Sequence, residues 1–288
     1  MVIPVTVRLQ PIKQRFHAMR LFDSHCHLDD RVFDEDIDAV LGRARVAGVV
    51  AMMVVGIDET ASRKATGLAE THPGLFASVG VHPHDAKSCS EAVLDRICKA
   101  ADHPRIKAWG ETGLDFNRLF SPRGVQERWF IRQIDNARAL DLPLIFHERD
   151  SGGRFTDILR AHGGQDLRGV VHCFSGTPAE LRDYLDLGLY IGITGILTVK
   201  GRGAELREMV TAIPGDRLLV ETDAPYLTPV PERNRYRRNE PAFVKSTFLK
   251  LCEIRGEPPE ALASTLWDNT CRLYGIGEAD LPPRHRWE

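Results

Sequence analysis

The chain has 288 residues and a formal net charge of −2, from 38 Lys+Arg against 40 Asp+Glu, with 43% apolar and 27% charged residues. This ordinary composition excludes a wholly disordered chain, a collagen-like repeat and a coiled coil. No uninterrupted apolar run is long enough to span a bilayer, and the balanced charge argues against a broadly basic surface that coats nucleic acid.

Residues 1–18 carry Arg8, Lys13 and Arg15 scattered through a stretch with neither the apolar core nor the small-residue cleavage site of a signal peptide. Periodicity begins only at Met19, with MRLFDSHCHLDD. Residues 1–18 are therefore expected to be a dispensable extension, disordered or outside the natural start, with a short arm on the barrel bottom as the alternative. No internal linker or low-complexity segment follows, so residues 19–288 are expected to form one domain. The six cysteines, Cys26, Cys89, Cys98, Cys173, Cys252 and Cys271, form no CxxC pair. A chain this long needs no disulfide staples, and reduced thiols in the cytoplasm are the expectation.

Short apolar runs then alternate with longer amphipathic stretches. Strand-like runs cover 21–25, 49–55, 76–82, 106–111, 142–147, 169–172, 189–194 and 217–222. Helical patterns between them include 34–47, 123–140 and 178–187. Pro178 suits a first helical turn behind a Thr177 cap. Gly48, Gly163 and Gly188 follow helices, where a left-handed C-cap favours glycine. Eight strand–helix units in this length predict an α/β fold of the (β/α)8 TIM-barrel type. A doubly wound open sheet competes, but it usually carries a glycine-rich phosphate loop after its first strand. Here that position reads Asp23-Ser24-His25-Cys26-His27, without glycine.

Polar residues gather at the ends of these runs, on the face where barrels build active sites. His25 and His27, two apart on a strand, face one side and make half a metal site. Glu111 ends the fourth run, entering a loop between Gly110 and Gly113. His147 ends the fifth, His172 the sixth and Asp223 the eighth, with Glu221 two residues earlier and expected on the same side as Asp223. Each alone has a plainer explanation: a single histidine after an apolar strand is usually a hydrogen-bonded core residue, and Asp223 before Pro225 suits a turn. Together they place four imidazoles and two carboxylates at one barrel mouth. Such a cluster is costly unless something binds it, and two divalent cations would satisfy all six groups.

The runs DSHCHLD, GVHPHDA, GETGLDF, HCFSG and ETDAPYL, with RNEPAFV and NTCRLYG after them, resemble the TatD family of metal-dependent deoxyribonucleases, within the amidohydrolase-like barrels. The resemblance runs in order from Met19 to about Ile276. It implies metal ligation by His25, His27, Glu111, His147, His172 and Asp223, and hydrolysis of phosphodiesters in single-stranded DNA or another nucleic acid, often from the 3′ end. Two divalent ions, Mg, Mn or Zn, would ease loss of a water proton and offset charge developing on the phosphate. In that scheme the catalytic carboxylates are Asp223, which orients or deprotonates the water, Glu111, which bridges the ions, and Glu221, which accepts or relays a proton. Substrate contacts are expected from His82, Ser175, Arg233 and Arg235. The last two belong to a basic loop with Tyr236 among its arginines, suited to a nucleic-acid strand by charge and stacking. The loop, PERNRYRRNEP, is longer than a common family form, roughly PHRGKRNEP, and Glu232 stands where histidine is frequent. Asn117 stands where the family often has an aromatic residue.

Two rival functions follow from the same residues. Related barrels hydrolyse other esters and amides, many with a modified lysine on the fourth strand. Here that strand supplies Glu111, with Lys107 only at its beginning, which favours the TatD-like site. Deacylation of mischarged aminoacyl-tRNA uses a related ester. A non-catalytic binding barrel is the reading from another class, and His147→Ala, which costs a scaffold nothing but stability and an enzyme its turnover, separates it. Neither membrane attachment nor an obligate protein partner is expected.

Overall fold

The computed structural model describes residues 19–281. The extension expected at 1–18 and residues 282–288 lie outside the described residues. Eight parallel strands run in chain order around one sheet. They are β1 Leu21–Cys26, β2 Val49–Val55, β3 Leu75–Val79, β4 Ile106–Asp115, β5 Leu144–Arg149, β6 Gly169–Val171, β7 Tyr190–Ile193 and β8 Leu218–Val220. The ends of β1 and β8 meet, where Asp223 N–H donates to the His25 carbonyl at 2.9 Å and His27 N–H to that of Ala224 at 2.7 Å. The result is the expected TIM barrel.

Outside the strands pack α1 Ile37–Val46, α2 Glu59–Thr71, α3 Glu91–Ala100, α4 Arg123–Ala139, α5 Arg154–His162, α6 Pro178–Asp186, α7 Ala204–Met209, α8 Val244–Arg255 and α9 Pro259–Tyr274. Helices cover one strand face and the barrel interior the other, so strands read as unbroken apolar runs without alternation. VVAMMVV in β2, buried throughout, is the clearest case. Phe22, Phe76, Ile145, Tyr190 and Leu219 cluster with Trp267, Leu273 and Tyr274 of α9. The Trp267 ring lies 5.8 Å from that of Phe22 near the start of β1, so α9 plugs the end opposite the strand C-termini.

Local signals set the helix starts. Thr177 caps α6 in a reciprocal box with Glu180, and Pro178 opens the first turn. Asp58 caps α2 by accepting from Ala61 N–H at 2.7 Å. Gly48 and Gly188 have the expected positive φ, 91° and 75°. Gly163 does not: its φ is −66°, still right-handed, and the left-handed residue is Gly164 at 76°. Strand ends also differ from expectation. β3 stops at Val79, so His82 caps, and His84 belongs to, a 3-10 turn, Pro83–Ser88. β4 and β5 run past Glu111 and His147, making both residues part of strands rather than their ends. β8 ends at Val220, three residues before Asp223.

Candidate active site

A cleft of about 570 Å³ opens at the strand C-terminal face and is lined by His27, His82, Glu111, His147, His172 and Asp223, among others. Glu111 lies at its floor because β4 approaches β5 closely there. Gly110 and Gly113 have φ of 138° and 147°, and a Cβ on either would overlap the Ile145 or His147 carbonyl oxygen. The GETG run is therefore a steric requirement for placing a carboxylate at this depth.

Each Glu111 oxygen faces its own donor set. Oε2 lies 3.5 Å from His25 Nε2 and 3.6 Å from His27 Nε2. The two histidines are 3.2 Å apart through these nitrogens, and 3.7 and 3.4 Å from Asp223 Oδ1. These separations match the edges, about 3.3–3.6 Å, of a tetrahedron around an ion with ligands at about 2.0–2.2 Å. Oε1 lies 2.8 Å from His147 Nδ1 and 2.7 Å from His172 Nε2, which are 3.4 Å apart. Two donor groups that could hold metal thus meet here, the second drawn in to hydrogen-bonding distance, and Glu111 stands between them with one oxygen toward each.

Neighbours aim these imidazoles. The Val55 carbonyl faces His27 Nδ1 at 3.2 Å, leaving Nε2 toward the cleft. Glu221 is wholly buried beneath His172, with Oε1 3.6 Å from Nδ1. Its oxygens also accept from Cys173 N–H at 2.5 Å and Ser24 Oγ at 3.3 Å. Asp223, at φ 57°, instead lines the cleft, so Glu221 and Asp223 do not share one surface as strand alternation predicts: the strand has already ended. Asp115, absent from the expected set, accepts from His84 Nε2 at 2.8 Å and His147 Nε2 at 3.2 Å. It thereby holds His147 with Nδ1 toward Glu111, as a carboxylate typically does for a metal-binding histidine. A signal for it existed: Glu111, Gly113 and Asp115 alternate along one strand, hidden by ending that strand at Glu111.

Burial pushes the Glu111 carboxyl up, but the His172 and His82 imidazoles and hydrogen bonds from His147 and His172 outweigh it and hold it well below the usual range. Burial likewise opposes ionisation of Asp223, which the His27 hydrogen bond and nearby imidazoles bring below its ordinary value. Burial lowers His27, yet Asp223 and Glu111 carry it up to about 9. For His82 burial prevails, down to about 4. His82 Nδ1 accepts from His84 N–H at 3.1 Å, so the ring carries its proton on Nε2, 3.3 Å from Glu111 Oε1.

Ser175 is exposed on the cleft wall. Arg233 lines an adjoining cavity, whereas Arg235 is exposed and lines neither. Asn117 turns to Asp150 at 2.6 Å, and the aromatic side chains in the cleft are Phe120 and Tyr226, each just over half exposed. Neither stood out in the sequence, because both lie in loops without periodicity.

The model of the TatD related DNase family matches residues 22–275. The 3′-5′ ssDNA/RNA exonuclease TatD of Rahnella sp. (strain Y9602) is 43% identical over 259 residues, 89% of this chain and 98% of that protein. Its counterpart from Klebsiella pneumoniae (strain 342) is 42% identical over 258 residues, with the same coverage of 89% and 98%. The crystal structure of YJJV, a TatD homologue from Escherichia coli k12, superposes with a TM-score of 0.83 at 31% identity, covering 90% of this chain and 99% of that one. With the barrel and the clustered donors in the order the motifs prescribe, the chain belongs to the TatD related DNase family.

Proposed function

We propose that this protein is a divalent-metal-dependent hydrolase that removes nucleotides from the 3′ end of single-stranded nucleic acid. One observation carries the reading: a buried carboxylate, Glu111, has one oxygen in each of two donor groups at the floor of an open cleft. His25, His27, Asp223 and Glu111 would hold one ion, and His147, His172 and Glu111 a second. Mg, Mn and Zn are the candidates, since imidazole suits Zn and Mn while phosphate chemistry accommodates Mg. Bound ions supply Lewis acidity toward the phosphate and a lowered pKa for water.

The protein's own groups do the rest. Asp223 lines the cleft and is held ionised, which suits it to orient the attacking water and take its proton. Glu221 positions His172 from the Nδ1 side, and any proton it accepts arrives through that imidazole. His82 presents its Nε2–H to a phosphate oxygen. Ser175, Arg233 and Arg235 supply further contacts to the strand, and Phe120 and Tyr226 offer faces on which bases stack. The protein has no helix, among the described residues, long and apolar enough to cross a membrane. Six free thiols fit a cytoplasmic enzyme.

The test is hydrolysis of a 5′-labelled single-stranded DNA by metal-stripped protein, with Mg, Mn or Zn restored in turn. A ladder shortening from the 3′ end is expected, slowed at least about a hundredfold by Asp223→Asn. Absence of cleavage with every ion, while elemental analysis finds metal bound, moves the reaction to another ester or an amide.

A further inference from the structure

The cleft continues into a second cavity of about 390 Å³, lined by Arg202, Leu227, Thr228, Arg233, Tyr236 and Arg237. Arg202 and Leu227 line both, so the two spaces are contiguous. The cavity wall is anchored at two points. Glu232 accepts from Ser246 Oγ of α8 at 2.8 Å, and Arg238 grips Asp36 at 2.7 and 2.8 Å while lying over Phe33. Between these anchors the loop presents Arg233, Tyr236 and Arg237, and Arg202 approaches from the segment before α7. None of Arg202, Arg233 and Arg237 has a carboxylate within ion-pair distance among the described residues, unlike Arg238. Three like charges around one cavity repel one another unless an anion joins them. Tyr236 rests against Phe243, ring centroids 5.3 Å apart, and stays 54% exposed.

Elsewhere the cleft borders a cavity of opposite character. Asp85 lines both the cleft and a space of about 250 Å³ shared with Asp58 and Glu59. Glu59 is paired with Arg96, but Asp58 and Asp85 have no ion pair among the described residues. Like charge there disfavours a polyanionic strand, whereas the arginines of the second cavity, with Arg118 and Arg149 of the cleft itself, favour one.

Resting on the exonuclease reading above, we propose that the Arg202–Arg237 cavity is the subsite for nucleotides upstream of the one that becomes the new 3′ end. An enzyme that trims 3′ ends holds the continuing polynucleotide on the 5′ side of the metals, and the basic cavity is where the cleft continues. Arg202, Arg233 and Arg237 hold an upstream phosphate, and Tyr236 stacks a base.

The test compares thymidylate substrates of two, three, four and eight nucleotides; the dinucleotide carries only the scissile phosphate. Wild-type kcat/KM should rise with length. The Arg202→Ala/Arg237→Ala double variant should lose about tenfold or more on the eight-nucleotide substrate and less than about twofold on the dinucleotide. Tyr236→Ala should behave likewise, with a loss of about fivefold or more. These side chains are exposed, and thermal melting checks that each variant folds. Equal losses at every length, or none, overturn the proposal. If wild-type protein hydrolyses none of the four substrates with any ion, the catalytic reading fails instead. Anisotropy of a fluorescein-labelled eight-nucleotide thymidylate in EDTA then decides. The subsite requires the double variant to bind more weakly, with a salt slope shallower by about 0.7 per arginine removed; unchanged binding overturns it.

Discussion

Asp115 lies at the end of a relay in which each imidazole of the His147–His172 pair has a carboxylate behind it, Asp115 for one and Glu221 for the other. Burial pushes the Asp115 carboxyl up, yet hydrogen bonds from His147 and His84 hold it below its ordinary value. Asp115→Asn should weaken metal binding by about 10–100-fold in a chelator competition; an unchanged affinity would remove its role in orienting His147. Protonation also opposes metal binding. His27 is raised to about 9, despite its burial, chiefly by Asp223, and His172 is also raised. A ligating imidazole must be unprotonated, so below about pH 9 an incoming ion has to displace protons, and affinity falls as pH falls. Between about pH 8.5 and pH 6 the apparent Kd should rise at least about tenfold, with proton release visible by calorimetry in buffers of different ionisation enthalpy. Affinity independent of pH would contradict the charge state described for the cluster. Histidines and acids stood out in the sequence because such side chains are rare after apolar strands. Asp115 did not, because ending its strand at Glu111 hid the alternation that reaches it, and Phe120 and Tyr226 did not, because they lie in loops without periodicity.

At the scale of elements, β4 controls the site. It carries Glu111 and Asp115, and its two glycines permit contact with β5. Gly113→Ala, whose methyl would overlap the His147 carbonyl oxygen, should destabilise the fold by about 2–4 kcal/mol and displace His147. Thermal melting and metal titration would show both effects. Gly124→Ala in α4 has open space around its Cβ and is the control, expected to be neutral or slightly stabilising. If both variants melt alike, the steric account of the GETG run is wrong. The strands themselves were legible as apolar runs, but their ends were not. Strands buried on both faces lack the alternation that marks where pairing stops, so the sequence reading ends β4 at its first acidic residue.

For the whole molecule, closure of β8 on β1 brings Asp223 to His25 and His27, nearly two hundred positions away along the chain. The opposite end depends on α9. Trp267→Ala should cost about 3–5 kcal/mol in denaturant unfolding and leave the turnover of folded molecules unchanged, because Trp267 lies at the end opposite the cleft. A fall in turnover without loss of stability would show that the plug reaches the site. By itself the sequence determined the barrel, through the rhythm of its apolar runs, and which imidazoles and carboxylates gather at its mouth, through motifs whose residue types and order are specific. Only the tertiary structure decided which nitrogen each histidine turns toward the cleft, that Glu221 is buried while Asp223 is presented, and which loop arginines face a common cavity. Those outcomes depend on contacts between distant segments, and a linear pattern carries no record of the direction in which a side chain points once its strand has ended.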